Sequence, residues 1–303
     1  MSTESYARYW HGYLVLLKPL LLLFSFGQLQ YLNMCLQIGL LAALCFFLRA
    51  RAHSAFIVPV VMTYLFLNPI CTVLSIQFSA MTILMLAECL LLMVFEKRFE
   101  DRQKLLTAFF LFGITAVYLD LLTFPLITVG IPALLWALTH RPGGKDGIRV
   151  FLACAALWCL GYAAMWASKW LLVYLITGED MTKEVLEVAA YRSGIIKEAG
   201  IFSYSDVLRR QFDQCKLQGC VVASVLLAQL IMAKRPYANK AVTIAPAQLA
   251  EIAIAAAMPF AWYFLLRNHS YVHYWFTYRE LALTVFSLTA LVPASNRDTR
   301  FTL

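Results

Sequence analysis

Long apolar runs, separated by short polar segments, recur along the whole length of this chain of 303 residues. A run of about twenty residues with few charges has the length that crosses the hydrocarbon core of a bilayer as a helix. Such runs are found at 29–48, 55–76, 80–95, 105–138, 150–177, 217–232, 249–266 and 281–293. We therefore expect an all-α fold, a polytopic transmembrane helix bundle of about eight or nine spans that forms a single domain over 1–303.

Two of these runs carry a signal for a break. The run at 105–138 is too long for one crossing, because as a single helix it would reach about 50 Å against a hydrocarbon core of about 30 Å. Asp120-Leu-Leu-Thr-Phe-Pro125 is the natural corner, and either two spans or a re-entrant pair would satisfy the pattern. The run at 55–76 contains Asn68-Pro69, which should kink it.

The first 28 residues predict an outer loop followed by a helix that lies in the membrane interface. Residues 1–11 are polar and aromatic, and the apolar run at 12–26 is short and interrupted by Lys18-Pro19. A lysine in such a helix extends its ammonium group to the lipid headgroups. A kinked first span is the competing interpretation.

Basic residues concentrate in alternate polar loops. More than half of the 25 lysines and arginines lie at 49–51, 97–104, 141–149, 234–240 and 297–300. Cytoplasmic loops carry such an excess, so this face is expected to be cytoplasmic. The long loop at 178–216, with a helical pattern from Thr182 to Tyr191, then lies on the extracytoplasmic side.

The amino-acid composition is that of a membrane protein, and neither the net charge nor the cysteines require another class of protein. The chain is 62% hydrophobic and 14% charged, and its mean hydropathy is +0.72. The net charge of +8 follows from the basic loops and requires no nucleic acid partner. The eight cysteines form no Cys-x-x-Cys pair and no zinc-ligand spacing, so no metal site is predicted, although a divalent ion is left open.

The predicted topology gathers the conspicuous polar residues on the outer face. The densest stretch is 267–280, which holds two His, two Arg, one Glu and five aromatic residues between two apolar runs. Carboxylates suit general-base chemistry on a hydroxyl, and a cationic rim suits a phosphate. Ionisable groups near the membrane are costly, which makes them functional candidates. The candidates are Glu4, Arg8, His11, Asp120, Lys169, Arg192, His269, His273, Tyr274 and Arg279.

Several candidates also have a structural interpretation. Tryptophans and tyrosines at span ends commonly anchor a helix at the interface, and Lys169 can extend to the headgroups. His269 and His273 are four residues apart and would share a metal on a helix, but no carboxylate pair lies near them. Asp120, flanked by leucines, is costly unless it is paired or functional. Glu88, at mid-span, needs a partner or belongs to a proton path.

The layout resembles that of the GT-C-type polytopic glycosyltransferases, which use polyprenyl-phosphate sugars. Glu4-Ser-Tyr-Ala-Arg-Tyr-Trp-His11, followed by the helix at 12–26, looks like the acidic first outer loop and the interfacial helix of that class. The stretches Tyr118-Leu-Asp-Leu-Leu-Thr-Phe-Pro125 and 268–279 resemble outer-face segments of bacterial membrane proteins associated with it. The class begins with a span before the acidic loop, whereas this chain begins inside the loop, so either the first span is lacking or a short N-terminal tail crosses the membrane unaided.

The resemblance implies a membrane glycosyltransferase that moves a sugar from a polyprenyl-phosphate donor to a cell-envelope glycan or lipid acceptor. It implies an integral, multi-pass protein of the bacterial cytoplasmic membrane, in contact with membrane lipids and without a cofactor. Glu4, or else Asp120, would take the proton from the acceptor hydroxyl. Arg8, Lys169, Arg192 or Arg279 would hold the donor phosphate, and His269 or His273 would orient it or stabilise the leaving group. The full substrate-binding set is Arg8, His11, Lys169, Arg192, His269, His273, Tyr274 and Arg279.

Two other functions also fit the pattern. A transporter or flippase for a lipid-linked or anionic solute would line a path with charges inside its spans, as Glu88 and Glu251 suggest, and often has an internal repeat. The sequence contains no repeat, and its charge gathers on one face. A non-catalytic membrane assembly protein would use the loop at 178–216 as its partner site.

Overall fold

The computed structural model describes residues 9–140, 145–195, 202–233 and 244–295. Within these ranges the regular elements are helices and no strand occurs, which confirms the predicted all-α class. Turns of 3-10 helix lie at Ser54–Phe56 and Tyr278–Glu280. The α-helices are α1 (Tyr13–Leu23), α2 (Phe26–Ala50), α3 (Ile57–Phe66), α4 (Pro69–Leu74), α5 (Ile76–Val94), α6 (Glu96–Phe99), α7 (Arg102–Leu119), α8 (Ile127–His140), α9 (Lys145–Thr177), α10 (Thr182–Ser193), α11 (Tyr204–Gln214), α12 (Lys216–Ala233), α13 (Pro246–Leu265), α14 (Arg267–Val272), α15 (Tyr274–Thr277) and α16 (Leu281–Ser295).

Four of the described helices, α2, α5, α9 and α13, are long and apolar enough to cross a membrane. A fifth span results if α11 and α12, which are bent by 74° at their junction, are counted as one. This is fewer than the eight or nine spans predicted, because other apolar segments, such as α3 and α8, are too short for a complete crossing. Several apolar helices of this length are compatible with an integral membrane protein.

The predicted kink at Asn68-Pro69 is a complete break between α3 and α4. Asn68 adopts the left-handed conformation (φ 59°), and its side chain accepts a hydrogen bond from the backbone N–H of Cys71, which caps α4. Pro69 follows at the first helical position, where its missing N–H would have had no helical partner. The break frees the carbonyl of Leu67, beside Asn68, for another donor.

The corner predicted within 105–138 separates α7 from α8, and α7 packs closely on α9. A Cβ on Gly113 would lie 2.0 Å from the carbonyl oxygen of Trp158, and a Cβ on Gly161 would lie 2.1 Å from that of Phe110. Glycines let two apolar helices bring their backbones together. This contact fixes the C-terminal half of α9 beside the corner.

The helices place two groups of polar residues at opposite ends of the bundle. Both α5 and α8 begin at one end, where the Phe78 and Phe124 rings are 6.4 Å apart, and both finish at the other, where His140 lies 3.0 Å from Glu96. We call the first the corner end, because it contains the loop 120–126, and the second the basic end. That the basic end is cytoplasmic remains a prediction.

The segments outside the long helices agree in part with the structure predicted for them from the sequence. The helix α1 has 11 residues, none of them buried, and Leu22 is 86% exposed, as expected for a helix that lies against lipid. The backbone N–H of Gly12 donates to the carbonyl of Tyr118 at 2.8 Å and ties α1 to the end of α7. The loop at 178–216 contains the predicted helix, α10, and a second helix, α11, that the sequence did not predict.

Candidate functional site at the corner end

Asp120 organises the corner loop. Its carboxylate accepts hydrogen bonds from the backbone N–H of Thr123 at 2.9 Å and from the Thr123 hydroxyl. The backbone N–H groups of Leu121 and Leu122 also stabilise the charged form of the carboxylate. The side chain is 1% exposed, and this burial raises the pKa of Asp120 to about 6. A carboxylate has about four acceptor positions, so these local donors leave little capacity for a substrate hydroxyl.

The corner loop is strained and is held from both sides by the segment 267–280. Leu122 has a φ of 62°, a conformation that costs a bulky residue about 1–2 kcal/mol. Its carbonyl accepts a hydrogen bond from Nε2 of His269 at 2.9 Å. Further along, the backbone N–H of Leu126 donates to the carboxylate of Glu280 at 3.1 Å. Strain that a structure maintains in this way is often found at functional sites.

His269 is a neutral acceptor rather than part of a cationic rim. A carbonyl can only accept, so Nε2 carries the hydrogen, and Nδ1 of the neutral ring is buried with no hydrogen-bond partner. Burial, followed by the positive charge of Arg192 and by neighbouring His273, lowers the pKa of His269 to about 3. Burial and Arg192 also lower the pKa of His273, whose ring centre is 4.8 Å away.

The described residues contain no group of three or more His, Cys, Asp or Glu side chains that could hold a metal ion. The pair His269 and His273, considered above as a metal site, lacks a third ligand of this kind among them.

Two adjoining hollows open at the corner end. The aromatic cavity has a volume of about 230 Å³ and is lined mainly by Tyr9, Tyr162, Trp166, Trp170, Trp262 and Arg192. The histidine hollow has a volume of about 190 Å³ and is lined by Val188, Tyr191, Arg192, Asn268, His269, Val272 and His273. The indole N–H groups of Trp170 and Trp262 are buried without an acceptor. An apolar chamber with a few hydrogen-bonding groups is typical of a ligand site.

Arg192 lies on the wall that the two hollows share. It occupies the last turn of α10, which ends at Gly194 in the left-handed conformation (φ 74°) that glycine adopts readily. Arg267 donates to the Gly194 carbonyl at 3.2 Å and fixes this helix end. The Arg192 guanidinium lies 5.5 Å from the centre of the Tyr9 ring, and no carboxylate of the described residues pairs with it. Its charge is thus available to a ligand.

The chain before α1 closes the aromatic cavity from the other side. Tyr9 stacks on Trp166 with ring centres 6.3 Å apart, and Trp10 donates its indole N–H to the carbonyl of Met165 at 2.8 Å. The ammonium group of Lys169 lies 5.2 Å from the centre of the Trp10 ring. His11 is next to this contact, and burial together with Lys169 lowers its pKa. The structure thus brings His11, Lys169, Arg192, His269, His273 and the loop of Asp120 to one end of the bundle.

Arg279 and Tyr274 have positions different from those expected of substrate ligands. Arg279 is 1% exposed and donates from Nε to the carbonyl of Leu67, at the break after α3, at 2.9 Å. Its guanidinium also donates to the carbonyl of Trp275 at 3.2 Å, so it stabilises the fold. The ring of Tyr274 lies 5.1 Å from the guanidinium of Arg210 and lines neither hollow. Glu4 and Arg8 lie outside the described residues.

One wall of the aromatic cavity could have been predicted from the spacing of aromatic residues in the sequence, although none of these residues is among the candidates named above. Trp158, Tyr162, Trp166 and Trp170 recur every four residues along α9, and neighbouring rings lie 4.9 to 5.9 Å apart. Residues four apart share one face of a helix, so this stripe could have been recognised as a surface. Tyr9 and Trp262 complete the cavity from distant segments, and no local pattern indicated them.

Comparisons with known proteins leave the resemblance to the GT-C class as a prediction. Function is therefore inferred from the described residues and from the chemistry that they permit. No protein-family model, no curated protein and no solved structure matches this chain.

Proposed function

We propose that the corner end binds a polyprenyl-phosphate sugar, and that the protein transfers the sugar to an acceptor of the cell envelope. The observation that carries this proposal is Arg192, a guanidinium without a carboxylate partner among the described residues, where an aromatic cavity meets a polar hollow. Arginine matches the geometry of phosphate oxygens. The aromatic cavity would take the first isoprene units, and the histidine hollow would take the sugar.

The reaction requires a base and a stabilised leaving group. The acceptor hydroxyl oxygen bonds to the anomeric carbon, the bond from that carbon to the phosphate oxygen breaks, and the phosphate leaves with the electron pair. Arg192 would offset the charge that develops on this phosphate. The buried N–H groups of Trp170 and Trp262 are further donors for its oxygens.

A carboxylate would take the proton of the acceptor hydroxyl. Glu4 is the first choice, because it precedes Tyr9 by a few residues in the sequence, although it lies outside the described residues. Asp120 is the second choice, and its oxygens already accept hydrogen bonds from Thr123 and from neighbouring backbone. We therefore assign Asp120 to holding the corner loop and Glu4 to general-base chemistry.

A transporter is the alternative function, and Glu88 is the observation that favours it. Both oxygens of this carboxylate are buried in the middle of α5 without a hydrogen-bond partner. Such a group inside a span is a candidate for proton or ion movement. The polar groups without a partner in the two hollows, however, adjoin at the corner end, which supports chemistry at that surface.

Sugar transfer by purified protein in nanodiscs tests the proposal. The protein is incubated with labelled polyprenyl-phosphate hexoses and envelope glycans, and the labelled glycan is quantified. Arg192→Ala is expected to reduce transfer by at least tenfold, because the phosphate loses its charged partner. Lys183→Ala, on the exposed face of the same helix, is the matched control and should leave transfer unchanged. Glu4→Gln should abolish transfer while donor binding is retained; equal turnover by Arg192→Ala and the parent protein would contradict the proposal.

A further inference from the structure

His269 has a ring nitrogen that the protein leaves without a partner. Its Nδ1 is buried, makes no hydrogen bond, and belongs to a side chain that is 3% exposed on the wall of the histidine hollow. Buried polar atoms almost always have a hydrogen-bond partner, and each exception requires an explanation. Because the His269 side chain lines the histidine hollow, a ligand that occupies this hollow is the partner that could complete Nδ1.

The structure determines which hydrogen bond this nitrogen can make. Nε2 donates to the carbonyl of Leu122 at 2.9 Å, which fixes the tautomer, so Nδ1 has a lone pair and no hydrogen. Arg192, on the same wall, and the ring of His273, 4.8 Å away, both oppose a second proton on the imidazole. Nδ1 can therefore accept a hydrogen bond and cannot donate one.

The orientation of the imidazole ring is also fixed. Its partner Leu122 is held in a left-handed conformation by the corner loop, and Asp120 anchors that loop through Thr123. A flip of the ring would leave the Leu122 carbonyl without its donor, in a place where that carbonyl is buried. Nδ1 is consequently a preorganised acceptor, which is the property that gives a site its specificity.

We infer that His269 selects the sugar of the donor lipid, by accepting a hydrogen bond from one of its hydroxyl groups at Nδ1. This rests on the proposed function, since it takes the phosphate to lie at Arg192. The histidine hollow, at about 190 Å³, has room for one monosaccharide ring beside that phosphate. A polyprenyl phosphate that has lost its sugar presents no hydroxyl there, so the site discriminates the loaded donor from the spent carrier. The spent carrier is thereby released more readily.

Two substitutions separate this role from the structural role of His269. In His269→Gln the side-chain amide reaches the position of Nε2, so a donor to Leu122 is kept and the acceptor at Nδ1 is lost. In His269→Asn the shorter amide lies near the position of Nδ1, so an acceptor is kept and the bond to Leu122 is lost. A purely structural role would make the Asn variant the more damaging of the two.

The experiment measures the binding of two lipids of equal chain length, a polyprenyl-phosphate hexose and the corresponding polyprenyl phosphate. Full-length protein is used in nanodiscs of neutral lipid, and the thermal midpoint of each variant is recorded. The parent protein should prefer the hexose lipid, and His269→Gln should reduce the ratio of the two Kd values by about tenfold, as expected for the loss of one hydrogen bond. His269→Asn should keep the ratio of the parent.

The outcomes distinguish this inference from the proposed function. If His269→Gln retains the ratio of the parent, or if the parent binds both lipids equally, the selection by His269 is overturned. Weaker binding of both lipids by Arg192→Ala would in that case still support the proposed function. Conversely, selective binding that His269→Gln loses, without any sugar transfer by the parent protein, would support the inference and overturn the transferase activity.

Discussion

The two ends of the bundle contain the same kinds of residue and use them in opposite ways. At the basic end Glu96 lies 3.3 Å from Arg51, 3.7 Å from His53 and 3.0 Å from His140, so these three groups share one carboxylate counterpart. At the corner end Arg192 faces no carboxylate among the described residues, and Nδ1 of His269 has no donor. The difference lies in whether the protein itself supplies the partner.

The polar cluster at the basic end joins helices through one shared carboxylate, whereas the polar groups at the corner end lie on separate walls of two hollows. The Glu96 cluster connects the C-terminal ends of α2, α5 and α8, and the ring of His140 stacks on Trp136 at 3.4 Å. The hollow beside this cluster, with a volume of about 490 Å³, is lined by Phe95, Phe99 and Leu111 together with paired Asp101 and Lys104. Unpaired polar groups at the corner end line two hollows. Burying an unpaired group costs free energy, and a ligand in the two hollows would complete those at the corner end.

Arg279→Met should produce the largest loss of stability, although Arg279 is at the corner end. The substitution removes the donors of two buried carbonyls, those of Leu67 and Trp275, and each unpaired carbonyl costs about 1–3 kcal/mol. The thermal midpoint should fall by several degrees. Arg192→Met, the matched control, should leave the midpoint unchanged and weaken binding of the lipid phosphate. Equal midpoints for the two variants would remove the distinction between the structural and the ligand-binding arginine.

The pH dependence of stability should reveal the buried carboxylate of Asp120. Its folded pKa of about 6 lies above the ordinary value of 3.8, so its contribution to stability is fully present below about pH 4 and is lost as the pH rises through 6. Between pH 5 and pH 7.5 this loss is about 1.4 kcal/mol. Thermal midpoints at the two pH values should therefore differ less in Asp120→Asn than in the parent protein.

The control for this measurement is Asp101→Asn, since Asp101 is exposed at the basic end and pairs with Lys104 at 3.0 Å. Its variant should keep the pH dependence of the parent protein. An unchanged pH dependence in Asp120→Asn would show that Asp120 is solvated or paired in the folded protein, contrary to its burial in the corner loop.

Glu96→Gln should have a smaller effect, about 1 kcal/mol, confined to stability. The carboxylate is partly exposed, and such ion pairs contribute modestly. Arg51, His53 and His140 would lose their common counter-ion, while binding of the lipid phosphate at the other end should not change. Glu100→Gln, which changes an exposed neighbouring residue, is the control and should leave the thermal midpoint unaffected. A loss of binding in Glu96→Gln would mean that the basic end takes part in ligand recognition.

Lys169→Met should have the smallest effect. Its ammonium group lies over the ring of Trp10 at 5.2 Å, a contact that contributes about 0.5–1 kcal/mol in an accessible site. We expect binding of the lipid phosphate to weaken by no more than about fivefold. A tenfold or greater loss, equal to that of Arg192→Ala, would instead make Lys169 a direct ligand of the phosphate.

Much of the helical framework could be predicted from hydropathy. The runs at 29–48 and 80–95 correspond to α2 and α5, and the corner at Asp120 follows from the length of the run around it. The number of complete spans could not be predicted, because an apolar run does not show where a local interaction ends the helix. Asn68 divides one predicted span in two through a left-handed turn and a cap on α4.

The candidate site was predicted by residue type and only partly by role. The sequence shows that Arg192 and Arg279 are cationic. It does not show that Arg279 donates to the backbone carbonyl of Leu67, which the break at Asn68 exposes. It shows that Asp120 is flanked by apolar residues, but not that the next residues of the loop fill its acceptor positions. Roles of this kind depend on tertiary contacts between distant segments. The aromatic stripe along α9, in contrast, follows from a local spacing and could be predicted from the sequence.

Photoaffinity labelling with a diazirine-bearing isoprenyl phosphate tests most directly the claim that the corner end receives a lipid phosphate. Labelled peptides from the full-length protein in nanodiscs are identified by mass spectrometry, with and without an excess of the unlabelled lipid. The account predicts labelling of the segments 158–170 and 185–192 that is competed by the unlabelled lipid and reduced in Arg192→Ala. Labelling that is spread over the lipid-facing helices, or concentrated around Glu96, and that is unaffected by Arg192→Ala would contradict it.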